Sequence, residues 1–128
     1  MPIRISKWRN SARYERPEGI TSYLLLAKTA GGSKHLTVTE VRIEPGGSQR
    51  VHEHAPEQMY FILEGRGVME VDEEKHVVGE GDCVFVPSGA RHGIVNPGPD
   101  RLRYLSAAAP SFSESELRKG WPLSPEGA

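Results

Sequence analysis

The chain has 128 residues, with 16 lysines and arginines against 17 acidic residues, and a single cysteine, Cys83. That length suits one domain with a real but modest core. The near-zero charge balance gives no electrostatic case for nucleic acid or for an anionic membrane surface. One cysteine excludes an internal disulfide and gives no sign of an oxidising compartment. The first eight residues hold no apolar run long enough for a signal peptide, and no segment approaches a membrane span, so a cytoplasmic location is the expectation.

Residues 3 to 18 show no clean period. Ile3, Trp8 and Tyr14 are expected to pack as an arm, and Pro17-Glu18-Gly19 reads as a turn. Residues 22 to 27 (Ser-Tyr-Leu-Leu-Leu-Ala) form a short apolar run, most simply a buried strand, although the pattern alone does not exclude a helix. Gly31-Gly32-Ser33 is a loop. Residues 36 to 44 are rich in β-branched side chains and predict a strand, closed by Pro45-Gly46-Gly47. A strand over 49 to 54 ends at Ala55-Pro56, because proline cannot donate to a ladder. Residues 58 to 63 are apolar and aromatic and read as a strand buried on both faces.

Shorter strands follow over 68 to 71, 75 to 78, 83 to 86 and 92 to 95, with Asp72-Glu73-Glu74 as a solvated hairpin tip. Residues 102 to 107 form the last long strand. Short strands with frequent turn signals predict a sandwich, jelly roll or closed barrel. Ser113 and Glu116 then have capping-box spacing, which predicts a short helix to Lys119, stopped by Gly120. Trp121-Pro122-Leu123 is an apolar patch, and residues 124 to 128 are expected to fray.

The chemistry concentrates in two stretches. The first runs Gly46, five residues, His52-Glu53-His54, three residues, Gln58, six residues, Gly65. The second runs Gly81, five residues, Pro87-Ser88-Gly89, two residues, His92, three residues, Asn96. On a strand, residues two apart share a face, so His52 and His54 would present two imidazoles together. His92 would add a third if the chain folds back onto them. Parity does not decide whether Gln58 or Glu57 faces them, because both faces of that strand are apolar enough to be buried.

The two stretches resemble the paired motifs of the cupin superfamily over their full length, with one departure: the family usually has Glu where this chain has Gln58. The resemblance implies an all-β jelly-roll barrel, a double-stranded β-helix, with a short C-terminal helix. It divides the single domain 1–128 into an N-terminal arm (1–20), a barrel (21–110) and a C-terminal helix and tail (111–128). It implies a metal held by His52, His54, Gln58 and His92, with Glu57 as the fallback ligand. Neutral imidazoles suit a divalent transition ion: Fe, Mn, Ni, Zn or Cu. Three imidazoles leave open positions for water or substrate. A neutral Gln leaves the ion's charge uncompensated, which predicts weaker metal retention and better attraction for an anion.

Other candidates follow from phase. Arg50 is in phase with His52 and would grip a carboxylate at the barrel mouth, the alternative being a surface arginine. Tyr60 is in phase with Gln58 and would line the pocket, the alternative being a core aromatic. Arg91 should face away from the metal. Cys83 reads as a small buried packing residue, and His35 and His76 as solvated. Asp82 and Asn96 are expected to bond loop backbone. No catalytic residue is assigned.

The resemblance also implies a homodimer, with Leu24 to Leu26, Trp8 and Trp121 as contact candidates. Cupins host many chemistries, so function is carried as two readings. One is a metal-dependent dioxygenase or decarboxylase, an oxidoreductase-type enzyme acting on a small anionic molecule. The other is a non-catalytic module binding a carboxylate or sugar.

Overall fold

The computed structural model describes residues 2–120, with side chains through Arg118. Trp121-Pro122-Leu123 and the tail lie outside the described residues. Ten strands form two antiparallel sheets: β1 (Arg13–Arg16), β2 (Ile20–Leu26), β3 (Thr37–Ile43), β4 (Ser48–His52), β5 (Glu57–Glu64), β6 (Arg66–Val71), β7 (Glu74–Gly79), β8 (Cys83–Val86), β9 (His92–Val95) and β10 (Leu102–Ala109). The six-stranded sheet runs β1-β2-β3-β10-β5-β8 and the four-stranded sheet β4-β9-β6-β7. Helix α1 (Glu114–Gly120) follows the last strand. This is the double-stranded jelly roll that the motifs implied.

The inward faces of the two sheets meet in one core. Ile20, Val41, Ile43, Ile62, Met69, Ile94, Leu102 and Tyr104 are all but sealed from solvent there. Each such aliphatic side chain contributes about 1.5–3 kcal/mol relative to exposure. Strict alternation places them: along β10, Leu102, Tyr104, Ser106 and Ala108 are buried while their neighbours are half-buried. The expected two-sided burial of β5 is not observed. Gln58, Tyr60 and Ile62 point inward, whereas Glu57, Phe61 and Leu63 are exposed. Among the described residues, no second sheet packs on the outer side of β5. Cys83 is likewise exposed, on the outer side of edge strand β8, with its Sγ 3.9 Å from the Met59 sulfur.

The N-terminal stretch holds a strand that its polar sequence did not announce. β1 pairs with β2 from Arg13 opposite Tyr23 to Arg16 opposite Ile20. On the outer face, Glu40 is buried and held by both Arg42 (Nε to Oε1, 2.9 Å; Nη2 to Oε2, 3.1 Å) and Arg103 (Nε to Oε1, 2.8 Å). Burial pushes its carboxyl pKa up, but the two guanidinium partners outweigh that and hold it below the ordinary value. Trp8 lies over the Arg42 guanidinium at 4.2 Å and packs edge-on against Tyr23.

A second, smaller core closes one end. Leu117 of α1 packs with Leu24 and Ala27, and Ala12, Ala30 and Phe112 border them. Leu24 is therefore spoken for inside the protomer and is not free for a subunit contact. The helix starts as its sequence predicts. Ser113 Oγ accepts from the Glu116 amide at 3.1 Å, and Glu116 Oε1 accepts from the Ser113 amide at 3.0 Å.

Candidate metal centre

Three imidazoles converge where β4 ends and β9 begins. His52 sits opposite His92 in the β4–β9 ladder. His54 lies just past the end of β4, not within a strand as expected, yet its ring centroid is 5.4 Å from that of His52 and 4.9 Å from that of His92. The three residues bring one ring nitrogen each to within 4.8 Å of one another.

Each ring is fixed by the same device. His52 Nδ1 contacts the Arg50 carbonyl at 2.8 Å, His54 Nδ1 the Pro56 carbonyl at 3.1 Å and His92 Nδ1 the Ala90 carbonyl at 3.0 Å. A carbonyl only accepts, so each Nδ1 carries the hydrogen and each Nε2 keeps a lone pair. The Nε2 atoms of His54 and His92 are buried without a partner among the described residues, as is the Oε1 of Gln58. Buried acceptors left unmet are costly. A divalent cation meets such acceptors, so these residues fit a metal.

Two of the rings, His52 and His92, are biased toward the neutral form. Burial lowers the pKa of His52 to about 4; the Arg50 carbonyl opposes this, while His92, His54 and Arg16 add to it. Burial also lowers that of His92. A neutral imidazole is the ligating form.

Gln58 is buried on the inward face of β5, and its Nε2 donates to Ser106 Oγ at 2.7 Å. Glu57 is exposed. Tyr60 is buried, stacked on Tyr104 at 4.4 Å, and its ring approaches that of His92 edge-on at 6.0 Å. Burial pushes both hydroxyls well above the ordinary phenol value.

Arg50 is not at the mouth. Its side chain is 75% exposed and its Nε lies 3.0 Å from Glu18 Oε2 on the outer surface. The reason is a bulge. Gln49 pairs with Ile94 and His52 with His92, so three steps on β4 match two on β9. Arg50 and Val51 both face out, while Gln49 and His52 both face in. Gly93 makes room for the bulge: a Cβ there would meet the Gln49 oxygen at 2.8 Å, the Val51 nitrogen at 2.9 Å and the Arg50 carbonyl carbon at 3.1 Å.

A cavity of about 140 Å³ adjoins the centre. Its lining includes Arg16, Gln49, Gln58, Tyr60, Ser106 and Phe112. Phe112 packs edge-on against His54 at 5.1 Å. Sequence reasoning missed Arg16, Gln49, Ser106 and Phe112. Only Ser106 had a usable signal, a polar residue in phase with Leu102 and Tyr104. The remaining expectations concern positioning. Asn96 Nδ2 donates to the Ile43 and Asp100 carbonyls, and Asp82 Oδ2 accepts from the Gly79 amide. Arg91, His35 and His76 are exposed. Among the described residues, no helix is long and apolar enough to cross a membrane.

Comparison with known proteins bears on the family and the fold. The chain is 32% identical over 95 residues to the dimethylsulfoniopropionate lyase DddW of Ruegeria pomeroyi, covering 73% of this chain and 62% of the lyase, less than two thirds of that protein's length. It is 34% identical over 83 residues to an oxalate-binding protein of Thermotoga maritima, covering 64% of this chain and 69% of that protein. The crystal structure of an RmlC-like cupin from Shewanella frigidimarina superposes with a TM-score of 0.74 at 21% identity, over 89% of this chain and 96% of that one, which speaks to the fold alone. The family model for the cupin domain matches residues 39–108, a span that contains every histidine of the centre, and the chain belongs to the cupin family.

Proposed function

We propose that this chain holds one divalent transition metal on His52, His54 and His92, with Gln58 as a fourth, neutral ligand, and acts on a small anionic molecule as a metal-dependent dioxygenase or decarboxylase. One observation carries the reading. Three imidazoles are each locked by a backbone carbonyl so that their Nε2 lone pairs are left for a cation. Bound there, a divalent ion supplies Lewis acidity toward a substrate oxygen. The chain's own residues do the rest. Phe112 against His54 and the Tyr60–Tyr104 stack supply the apolar side of the centre. Gln58, tied to Ser106, keeps an oxygen buried beside them.

A second reading is a binding module without turnover, holding a carboxylate or sugar. Gln58 favours it, because an amide cannot take up a proton as a carboxylate does. The similarity to an oxalate-binding protein supports the same reading. The deciding experiment is a panel of small carboxylates scored by thermal shift with and without metal, followed by product analysis of each hit. Metal-dependent shifts with consumption support the enzyme. Metal-dependent shifts without consumption support the module. Shifts indifferent to metal refute the metal-dependent enzyme and leave only a binding module that does not use the ion.

The assembly we propose is a homodimer through the outer face of the six-stranded sheet. Phe61, Leu63 and Phe85 stand exposed there, with Phe85 59% exposed. Light scattering should return twice the 14.1 kDa chain mass, and Phe85→Glu should return the monomer. A wild-type monomer refutes the dimer.

A further inference from the structure

The cavity beside the centre contains a cation that neither motif supplies. Arg16 enters it from edge strand β1. Its Nη2 donates to Gln49 Oε1 at 2.6 Å, and its guanidinium carbon lies 5.1 Å from the centroid of the Tyr14 ring. Both partners are neutral. Its Nε is buried and has no hydrogen-bond partner among the described residues. A guanidinium presents five donors in a fork that matches a carboxylate, and leaving one of them buried and unmet is costly.

The surroundings sharpen the point. The inward position where the cupin motif usually has Glu holds Gln58, so that wall of the cavity offers no carboxylate to balance Arg16. A divalent ion on the three histidines would add further positive charge. The space is small: about 140 Å³ is the share of four or five liquid waters. That is room for a molecule of two to four carbons.

We propose that Arg16 is the anion-recognition residue of this site, gripping one carboxylate of a C2–C4 dicarboxylate or oxo acid whose other end faces His52, His54 and His92. This deepens the metal reading above by naming its ligand class, and the grip on the near carboxylate stands without the metal. Gln49 positions the fork: it accepts from Arg16 and sits on the same bulge that turns His52 inward.

The test is calorimetric titration of oxalate, malonate, succinate and acetate into the wild type, Arg16→Gln, Arg16→Lys and the surface control Arg50→Gln. Metal content and melting temperature are measured on every sample. Malonate should bind more tightly than acetate. Arg16→Gln should weaken malonate by about 10–100-fold with metal content unchanged, the loss expected for a charged hydrogen-bonded pair. Arg16→Lys, which keeps the charge but loses the fork, should weaken it by about 5-fold or more. Arg50→Gln should bind as the wild type does. Malonate binding that is unchanged in Arg16→Gln, or in Arg16→Lys should the Gln variant not fold, overturns the proposal. So does a metal-loaded wild type that binds none of the four anions, an outcome that leaves the metal reading standing. Arg16-dependent malonate binding by a protein that takes up no metal upholds the grip and refutes the metal reading.

Discussion

Gly93→Ala tests the link between backbone packing and the metal centre. The added methyl would meet three backbone atoms of β4: the Gln49 oxygen at 2.8 Å, the Val51 nitrogen at 2.9 Å and the Arg50 carbonyl carbon at 3.1 Å. None is the end of a flexible side chain, so the bulge itself must retreat by about half an ångström, an overpacking that costs about 1–3 kcal/mol. The Arg50 carbonyl is also the group that fixes the His52 ring, through Nδ1 at 2.8 Å. Metal–ligand distances tolerate only about ±0.2 Å. Loss of a ligand's orienting partner typically weakens metal affinity by about 10–100-fold. Urea unfolding of the metal-free protein should show the stability loss, and competition against a chromogenic chelator should show the affinity loss. A variant that loses stability but keeps wild-type metal affinity would refute the reasoning, because the bulge would then not be what holds His52.

Gln58→Glu should tighten metal retention at neutral pH by adding a compensating charge, read by chelator competition; equal or weaker retention counts against Gln58 as a ligand. Leu117→Ala should destabilise the protein by about 2–4 kcal/mol, because Leu117 is sealed against Leu24 and Ala27. It should also quicken metal release by loosening Phe112 over His54, and unchanged release would detach the helix from the site. For pH, the sign follows from His52, whose pKa is about 4 when folded and ordinarily 6.5. The unfolded chain then binds more protons in that window, so metal-free stability is complete above about 6.5 and is lost as pH falls toward about 4. Urea midpoints at pH 7 and 5 should differ more for the wild type than for His52→Asn; equal differences contradict the burial of a neutral His52.

Nine of the ten described strands were legible because short apolar runs between Gly and Pro signals have few other solutions, and the three histidines were legible from their spacing in the two motifs. The inward phase of Gln58 came from motif spacing, and the structure puts it on that face for a reason parity could not supply: Phe61 and Leu63 are apolar yet exposed. Arg50 was misplaced because alternation assumes an unbroken ladder, and a bulge between Gln49 and His52 resets the count. Arg16 left no pattern, since Arg-Tyr-Glu-Arg is polar throughout and its strand status comes only from pairing with β2. Phe112 reaches His54 through the docking of Leu117 and the hydrogen bond its backbone N–H donates to Thr37 Oγ1, a tertiary contact no local period encodes.

The most direct test of the metal centre is metal content by mass spectrometry. The untagged protein, purified without chelators, is measured beside His52→Ala/His92→Ala. Near-stoichiometric metal in the wild type, lost in the double variant, is the predicted result. Wild-type protein that stays empty after reconstitution with iron, manganese, nickel, zinc and copper in turn would contradict the claim that these three imidazoles hold a metal.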